Sequence, residues 1–225
     1  MTNQKFGQKL GIARATRPTH MRTIMGRELS IFAPDPKLLC ILDVAHGLAH
    51  LCRYAGHVRH FYSVAEHSYW TSIIAPQHLA LSCLLHDAAE TNINDLIQPV
   101  KQHISGYQRI ENGFESAYAE QFGLPFPFPP EVKATDRAIY QIECTQARHL
   151  NSTLDIEEPE SLTPTAIKVK LRFWSPRKAR KKFLRRYFFL TDKDSNQMTK
   201  RLRAWWRERA LTLRFYLQLD FAPVK

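Results

Sequence analysis

His86 and Asp87 stand side by side at the end of an almost wholly apolar run, LALSCLLHDAAE. A lone His-Asp pair carries no information. His67, in FYSVAEHSYW, and Asp136, in VKATDRAIYQIEC, turn the pair into a set of two imidazoles and two carboxylates. Mixed nitrogen and oxygen donors suit Mn, Co, Fe or Zn and hold Mg more weakly. A single divalent ion caged by these four side chains points to hydrolysis. Consecutive helical residues project roughly 100° apart, so His86 and Asp87 can both reach an ion beside one helix edge. His67 and Asp136 must then arrive from helices packed on either side.

The hydrophobic spacing predicts an all-α bundle able to bring them together. Leu38 to Tyr54 has Leu38, Leu42, Ala45, Leu48, Ala49 and Cys52 on one side, with Gly56 as a stop. Further helices are expected over about Val64–Ile74, His78–Thr91, Ile104–Phe122 and Glu131–Leu150. The third of these five is apolar nearly all round until His86, as a central buried helix should be. Leu124 to Pro130 reads as a rigid extended connector. Asn151 to Pro164 is acidic and irregular, a loop candidate. Ser175-Pro176 looks like an N-cap followed by proline at the first helical position. Ala179, Phe183, Leu184, Tyr187 and Phe188 line one face of the helix that follows. No strand-like run is bounded by hairpin signals, and no repeats occur.

The chain has 225 residues and a formal net charge of +11, which misleads as an average. Residues 165–225 hold 18 Lys+Arg against 4 Asp+Glu, leaving 14 basic and 17 acidic residues in 1–164. The sequence divides into a peripheral leader over 1–20, a catalytic bundle over 21–190 and a basic helical extension over 191–225. No apolar run approaches the ~18 residues of a spanning helix. The N-terminus lacks the apolar core of a secretory signal, so a cytoplasmic location is expected. Cys40, Cys52, Cys83 and Cys144 are scattered among apolar residues and read as buried free thiols.

Beyond the four ligands, the sequence resembles the HD-domain metal-dependent phosphohydrolases. It is nearest to the bacterial 5′-deoxyribonucleotidase branch and its phage-encoded relatives. The resemblance runs from about Arg22 to Leu190. It includes Cys52-Arg53-Tyr54-Ala55-Gly56-His57, Phe61 to Ser68, His86 to Glu90, Asn94-Asp95-Leu96, Pro99-Val100-Lys101, Asp136 with Glu143, and Trp174-Ser175-Pro176. It implies an HD helical bundle with the ion on His67, His86, Asp87 and Asp136. It assigns catalysis to Glu90, with Asp95 helping to place the attacking water. Arg53 resembles the family's phosphate-contacting arginine, whose planar guanidinium can pair two oxygens at once. Tyr54 falls where relatives carry an aromatic beside the nucleotide. His57 matches the same motif, and Lys101 is a second candidate for phosphate. The resemblance also implies a homo-oligomer.

Plainer readings stand beside these. Glu66 could be a solvated helix residue, and Glu143 could merely brace Arg53. His46 and His50 are four apart, but the intervening Gly-Leu-Ala offers no general base, so the zinc-protease pattern fails. His60 fits ordinary polar packing. Met198, Leu202, Trp205, Trp206, Ala210 and Leu213 recur at helical spacing among arginines. Such a helix suits packing or subunit contact better than nucleic acid or an anionic membrane.

The expected activity is hydrolysis of the 5′ phosphate ester of a deoxyribonucleoside monophosphate. A triphosphohydrolase acting on a dNTP is the alternative, because the ligand set is common to both. A cyclic-nucleotide or alarmone hydrolase shares the ion site too. An alternative of another class is a nucleic-acid-binding or regulatory protein built on a dormant HD core.

Overall fold

The computed structural model describes residues 19–104, 106–148, 169–193 and 196–220. The leader to residue 18 and the loop expected over 151–164 lie outside the described residues.

The fold is mostly helical, as expected, but it opens on a small element the sequence reading missed. Strands β1 (His20–Arg22) and β2 (Glu28–Ser30) form an antiparallel hairpin, with Met21 opposite Leu29. Gly26, at φ +76°, supplies the left-handed residue of its turn. The hairpin buries Leu29 and ties the Met25 amide to Asp43 at 3.0 Å. Its three-residue strands are too short for any alternation to register.

Helix α1 (Ile41–His50) is shorter than the predicted Leu38–Tyr54. Pro36–Leu38 and Arg53–Gly56 are separate 3₁₀ turns, and Cys52 pairs instead with Ser63 as an isolated bridge. Helix α2 (Val64–Ile74) matches its prediction. Ser63 caps it by accepting the Glu66 amide at 3.2 Å. Eight of its eleven residues are buried, so α2 is the central helix as much as its neighbour is.

The expected helix His78–Thr91 is broken. Helix α3 (Ala80–Leu85) stops at His86, and α4 (Glu90–Ile93) resumes after a stretch of turns. The Ala88 amide reaches the Leu85 carbonyl at 3.0 Å and the Glu90 amide reaches the Asp87 carbonyl at 3.0 Å. This local tightening to three-residue spacing turns His86, Asp87 and Glu90 away from a regular helical array. Gly47 lets α4 come this close to α1: a Cβ there would lie 2.5 Å from Thr91 Cγ2.

Short α5 (Gln98–Lys101) leads to α6 (Tyr107–Phe122), and α7 spans Pro130–Gln146. The connector before α7 is non-helical only to Pro129, because Pro130 takes the first helical position where its missing N–H costs nothing. Helix α8 (Pro176–Thr191) follows Ser175 and packs on α1, α2 and α3. Its Ala179, Phe183, Leu184 and Phe188 enter the main core with Leu48, Val64, Leu84 and Phe114. Tyr62, Ile139, Ile142 and Leu171 form a second cluster beneath α7.

Helix α9 (Gln197–Asp220) docks on α8 and leaves most of the apolar stripe outward. Ala204 and Glu208 face inward, and Glu208 receives Arg185 Nε at 3.0 Å. Leu202, Trp206 and Leu213 point to solvent. Met198 has no described side chain. Among the described residues no helix is long and apolar enough to cross a membrane. The cysteines are free; Cys83 and Cys144 are buried, while Cys40 and Cys52 are only half-buried beside short 3₁₀ turns.

Glu66 is a fold residue rather than a solvated one. Fully buried, it accepts the backbone amides of Arg172, Phe173 and Trp174 at 2.7, 3.1 and 2.6 Å, and Trp70 Nε1 at 3.2 Å. These bonds hold Phe173 at φ +51° and aim the chain into α8. Replacing Glu66 by Ala strands three amides beneath the core. The expected loss is about 3 kcal/mol or more, read as a lower urea midpoint.

Candidate metal centre

Three elements deliver the four sequence-predicted ligands to one point. His67 lies in the middle of α2, Asp136 near the middle of α7, and His86 and Asp87 on the turns after α3. The two Nε2 atoms are 3.3 Å apart. Asp136 Oδ1 is 3.1 Å from His67 Nε2 and 3.7 Å from His86 Nε2. Asp87 places Oδ2 3.4 Å from His67 Nε2 and Oδ1 3.2 Å from His86 Nε2. One donor atom each from His67, His86 and Asp87 lie mutually within 4.8 Å, a group that could hold a metal ion. Asp136 closes the fourth side from α7.

The outer nitrogen of each imidazole is already committed. His67 Nδ1 meets Glu143 Oε1 at 2.7 Å, and His86 Nδ1 meets the Cys83 carbonyl at 2.9 Å. A proton on each Nδ1 leaves two Nε2 lone pairs facing each other, an arrangement that either a shared proton or a metal ion relieves. Burial and Arg53 push the His67 pKa down, but Glu143 and Asp136 outweigh them and raise it to about 9. Burial would raise the Asp136 carboxyl, yet its bonds to His67 and His86 hold it well below the usual range. Asp87 Oδ2 is a buried oxygen with no hydrogen bond. Donor chemistry and this orphaned oxygen both fit a divalent ion.

Glu143 turns out to be the keystone of the surrounding shell. Fully buried, it accepts from Tyr62 Oη at 2.8 Å, from Tyr54 Oη, and from His67 Nδ1, and pairs with Arg53 Nη2 at 3.3 Å. The plainer reading, that it braces Arg53, holds but is incomplete. Its place was legible: Asp136, Tyr140 and Glu143 recur at helical spacing on one face of α7.

The remaining predicted residues gather around the same point. Arg53 lies 3.6 Å from Asp87 Oδ2. Tyr54 and Ala55 sit at φ +58° and +51°, left-handed values that cost a non-glycine residue energy. Glu90 Oε2 is buried without a hydrogen-bond partner. Burial, then the charges of Asp87 and Asp95, raise its carboxyl well above the ordinary range. Burial also raises Asp95. His57 is exposed at the rim. Lys101 lines both clefts at the ligands and pairs there with Glu111. His60 packs its ring on Phe173 at 5.3 Å, away from the ligands. His46 and His50 stack on each other at 4.2 Å in α1.

Two clefts meet at the ligands. One, of about 610 Å³, is lined by Arg53, Tyr54, His57, Asp95, Tyr140 and Arg148 as well as Asp87, Glu90 and Asp136. Arg148 was not anticipated; its guanidinium lies 4.7 Å from the Tyr54 ring centre. The other, about 810 Å³, opens between α6 and α7 past Gln108, Asn112, Glu115, Phe126 and Lys133. Burial, then Glu111, raises the Glu115 carboxyl to about 7.

No family model matches the chain. The chain is 39% identical over 116 residues to the uncharacterized protein YfdR of Escherichia coli K12, covering 52% of this chain and 65% of YfdR. It is 36% identical over 137 residues to the uncharacterized protein RCAP_rcc00048 of Rhodobacter capsulatus, covering 56% of this chain and 68% of that protein. The chain belongs to the family of RCAP_rcc00048. It spans slightly less than two thirds of YfdR. Neither name states an activity, so chemistry for the RCAP_rcc00048 family must come from the site itself.

Proposed function

We propose that this protein is an HD-type metal-dependent phosphohydrolase that cleaves the 5′ phosphate ester of a deoxyribonucleoside monophosphate. The observation that carries the reading is the meeting of His67, His86, Asp87 and Asp136 beside Glu90, whose Oε2 is buried without a hydrogen bond. One divalent ion held by those four would supply Lewis acidity, drawing charge from a phosphoryl oxygen and acidifying water. Mn, Co, Fe, Zn or Mg all suit the donors.

The chain's own residues supply the rest. Arg53 offers its guanidinium to the phosphate, and Arg148 adds a second positive charge across Tyr54. Tyr54 presents a ring for the sugar and base. Asp95 orients the attacking water. Glu90 takes the proton from that water as its oxygen bonds to phosphorus, then returns it to the departing 5′ oxygen when the P–O bond breaks. Its raised proton affinity makes it a stronger base than a solvated carboxylate.

A dNTP triphosphohydrolase shares every one of these residues, and the two clefts flanking the ligands offer room for a longer phosphate chain. A screen of all dNMPs and dNTPs with products resolved separates the readings. Free phosphate from a dNMP supports the first, and tripolyphosphate from a dNTP supports the second. No product from any of them with metal bound contradicts both and leaves a regulatory protein on a dormant core.

A further inference from the structure

A second concave site lies on the opposite face of α2 from the metal ligands. Tyr69 is two residues beyond His67, roughly 200° around the helix. With Ile73 it forms the floor of a groove of about 430 Å³ whose walls are Lys182, Arg185, Arg186 and Phe189 of α8 and Arg201 and Trp205 of α9. The volume falls in the range of ordinary ligand sites.

Positive charge here is poorly compensated. Arg185 pairs with Glu208 at 3.0 Å. Among the described residues, no carboxylate forms an ion pair with Lys182, Arg186 or Arg201. Arg186 is instead fixed by neutral acceptors, donating to Ser72 Oγ at 3.0 Å and to the Ser72 carbonyl at 2.7 Å. Its guanidinium is therefore held in place with its charge unspent. Burial, then Arg185 and Lys178, hold the Lys182 ammonium below its ordinary value, as a field of like charges should.

Aromatic rings alternate with these cations. The Phe189 ring has Arg186 at 5.6 Å and Lys200 at 5.8 Å, and the Trp205 ring has Arg209 at 4.7 Å. The basic edge of α8 continues outward through exposed Lys178. From Lys178 to Phe189 it runs about 16 Å, longer than one phosphate requires. A positively charged track interleaved with rings is how proteins hold single strands. A bilayer is a flat ligand, and the rings here are recessed and only half-exposed.

We propose that the groove between α2, α8 and α9 binds single-stranded nucleic acid, taking its phosphates on Lys182, Arg186 and Arg201 and a base against Trp205. The site is separate from the metal centre, and its test does not depend on hydrolysis. The probe is a fluorescein-labelled oligothymidylate of about ten nucleotides, titrated with the full chain across a salt series by anisotropy. Tight, salt-sensitive binding is expected. Substituting Lys182→Ala and Arg201→Ala together should reduce the slope of log affinity against log salt by about 1.4 and weaken binding roughly tenfold or more at ~50 mM salt. The charge reversal Arg201→Glu alone, at an exposed position, should weaken binding in the same direction. Melting temperature and circular dichroism check that both variants are folded.

Absent or salt-insensitive binding overturns the proposal, as does binding that neither substitution weakens. Free thymidine monophosphate competing as well as the oligomer, mole for mole, makes the groove a mononucleotide site instead. Capture by phosphatidylserine vesicles, sensitive to the same substitutions and without oligomer binding, makes it a membrane contact.

Discussion

Glu90→Gln should lower turnover by roughly 10²- to 10⁴-fold while leaving the metal bound. The residue sits four positions beyond His86 and, unlike Asp136, makes no ion pair with either imidazole among the described residues. Its buried Oε2 has no hydrogen-bond partner, so the amide replaces it without breaking a bond. The substitution removes a carboxyl that burial, Asp87 and Asp95 already push toward the neutral form. A group whose folded-state proton affinity is raised destabilises the fold once pH rises above its unfolded value. The amide escapes that cost, so the variant should melt no lower than the parent at neutral pH. A loss of kcat with unchanged melting temperature and metal content separates a proton carrier from a structural residue. A variant that loses its metal, or keeps full turnover, contradicts the role.

Glu143→Ala should have the larger effect on the fold. Four groups converge on this buried carboxylate: Arg53, Tyr54, Tyr62 and His67. Its removal leaves a half-buried guanidinium beside the buried Tyr62 hydroxyl and the partly buried Tyr54 hydroxyl, and breaking a buried pair of this kind typically costs about 3–5 kcal/mol. His67 would also lose the acceptor that fixes its Nδ1 proton, so metal affinity should fall by about 10–100-fold. Urea unfolding and metal titration read the two losses separately. Burial alone would raise the Glu143 carboxyl, but Arg53 and His67 outweigh it and bring it down to about 2. The stabilisation is therefore complete above the ordinary carboxylate value of 4.5 and fades as pH falls toward 2. In Glu143→Gln, already lacking the charge, stability should decline less steeply over that interval.

The sequence carried the ligands more clearly than the shell that orients them. His67, the His86-Asp87 pair and Asp136 stood out because apolar periodicity placed them on three separate segments, and α2, α7 and the end of α3 bring them together. Glu66 and Glu143 were harder to weigh. A carboxylate looks solvated until its partners are known, and the partners of Glu66 are backbone amides more than a hundred residues away. The break between α3 and α4 was hidden for a related reason. Periodicity continues through LLHDAAE, and only the three-residue hydrogen bonds at Ala88 and Glu90 reveal the turn. The inward face of α9 is set by an ion pair, Glu208 with Arg185, which leaves Leu202 and Trp206 of the apolar stripe outward, as the subunit-contact reading allows. Lys101 read as a phosphate contact and does line both clefts, but its pairing with Glu111, ten residues on in α6, was not legible.

The most direct measurement is a stepwise titration of the metal-stripped protein with Mn, following bound ion and phosphate release from a deoxynucleoside monophosphate in the same samples. The rate should climb in proportion to occupancy, level off at one ion per chain, and vanish with the bound ion in His86→Ala. Saturation at one ion with no phosphate released from any deoxynucleotide, or a His86→Ala variant that binds Mn as the parent does, would contradict the account.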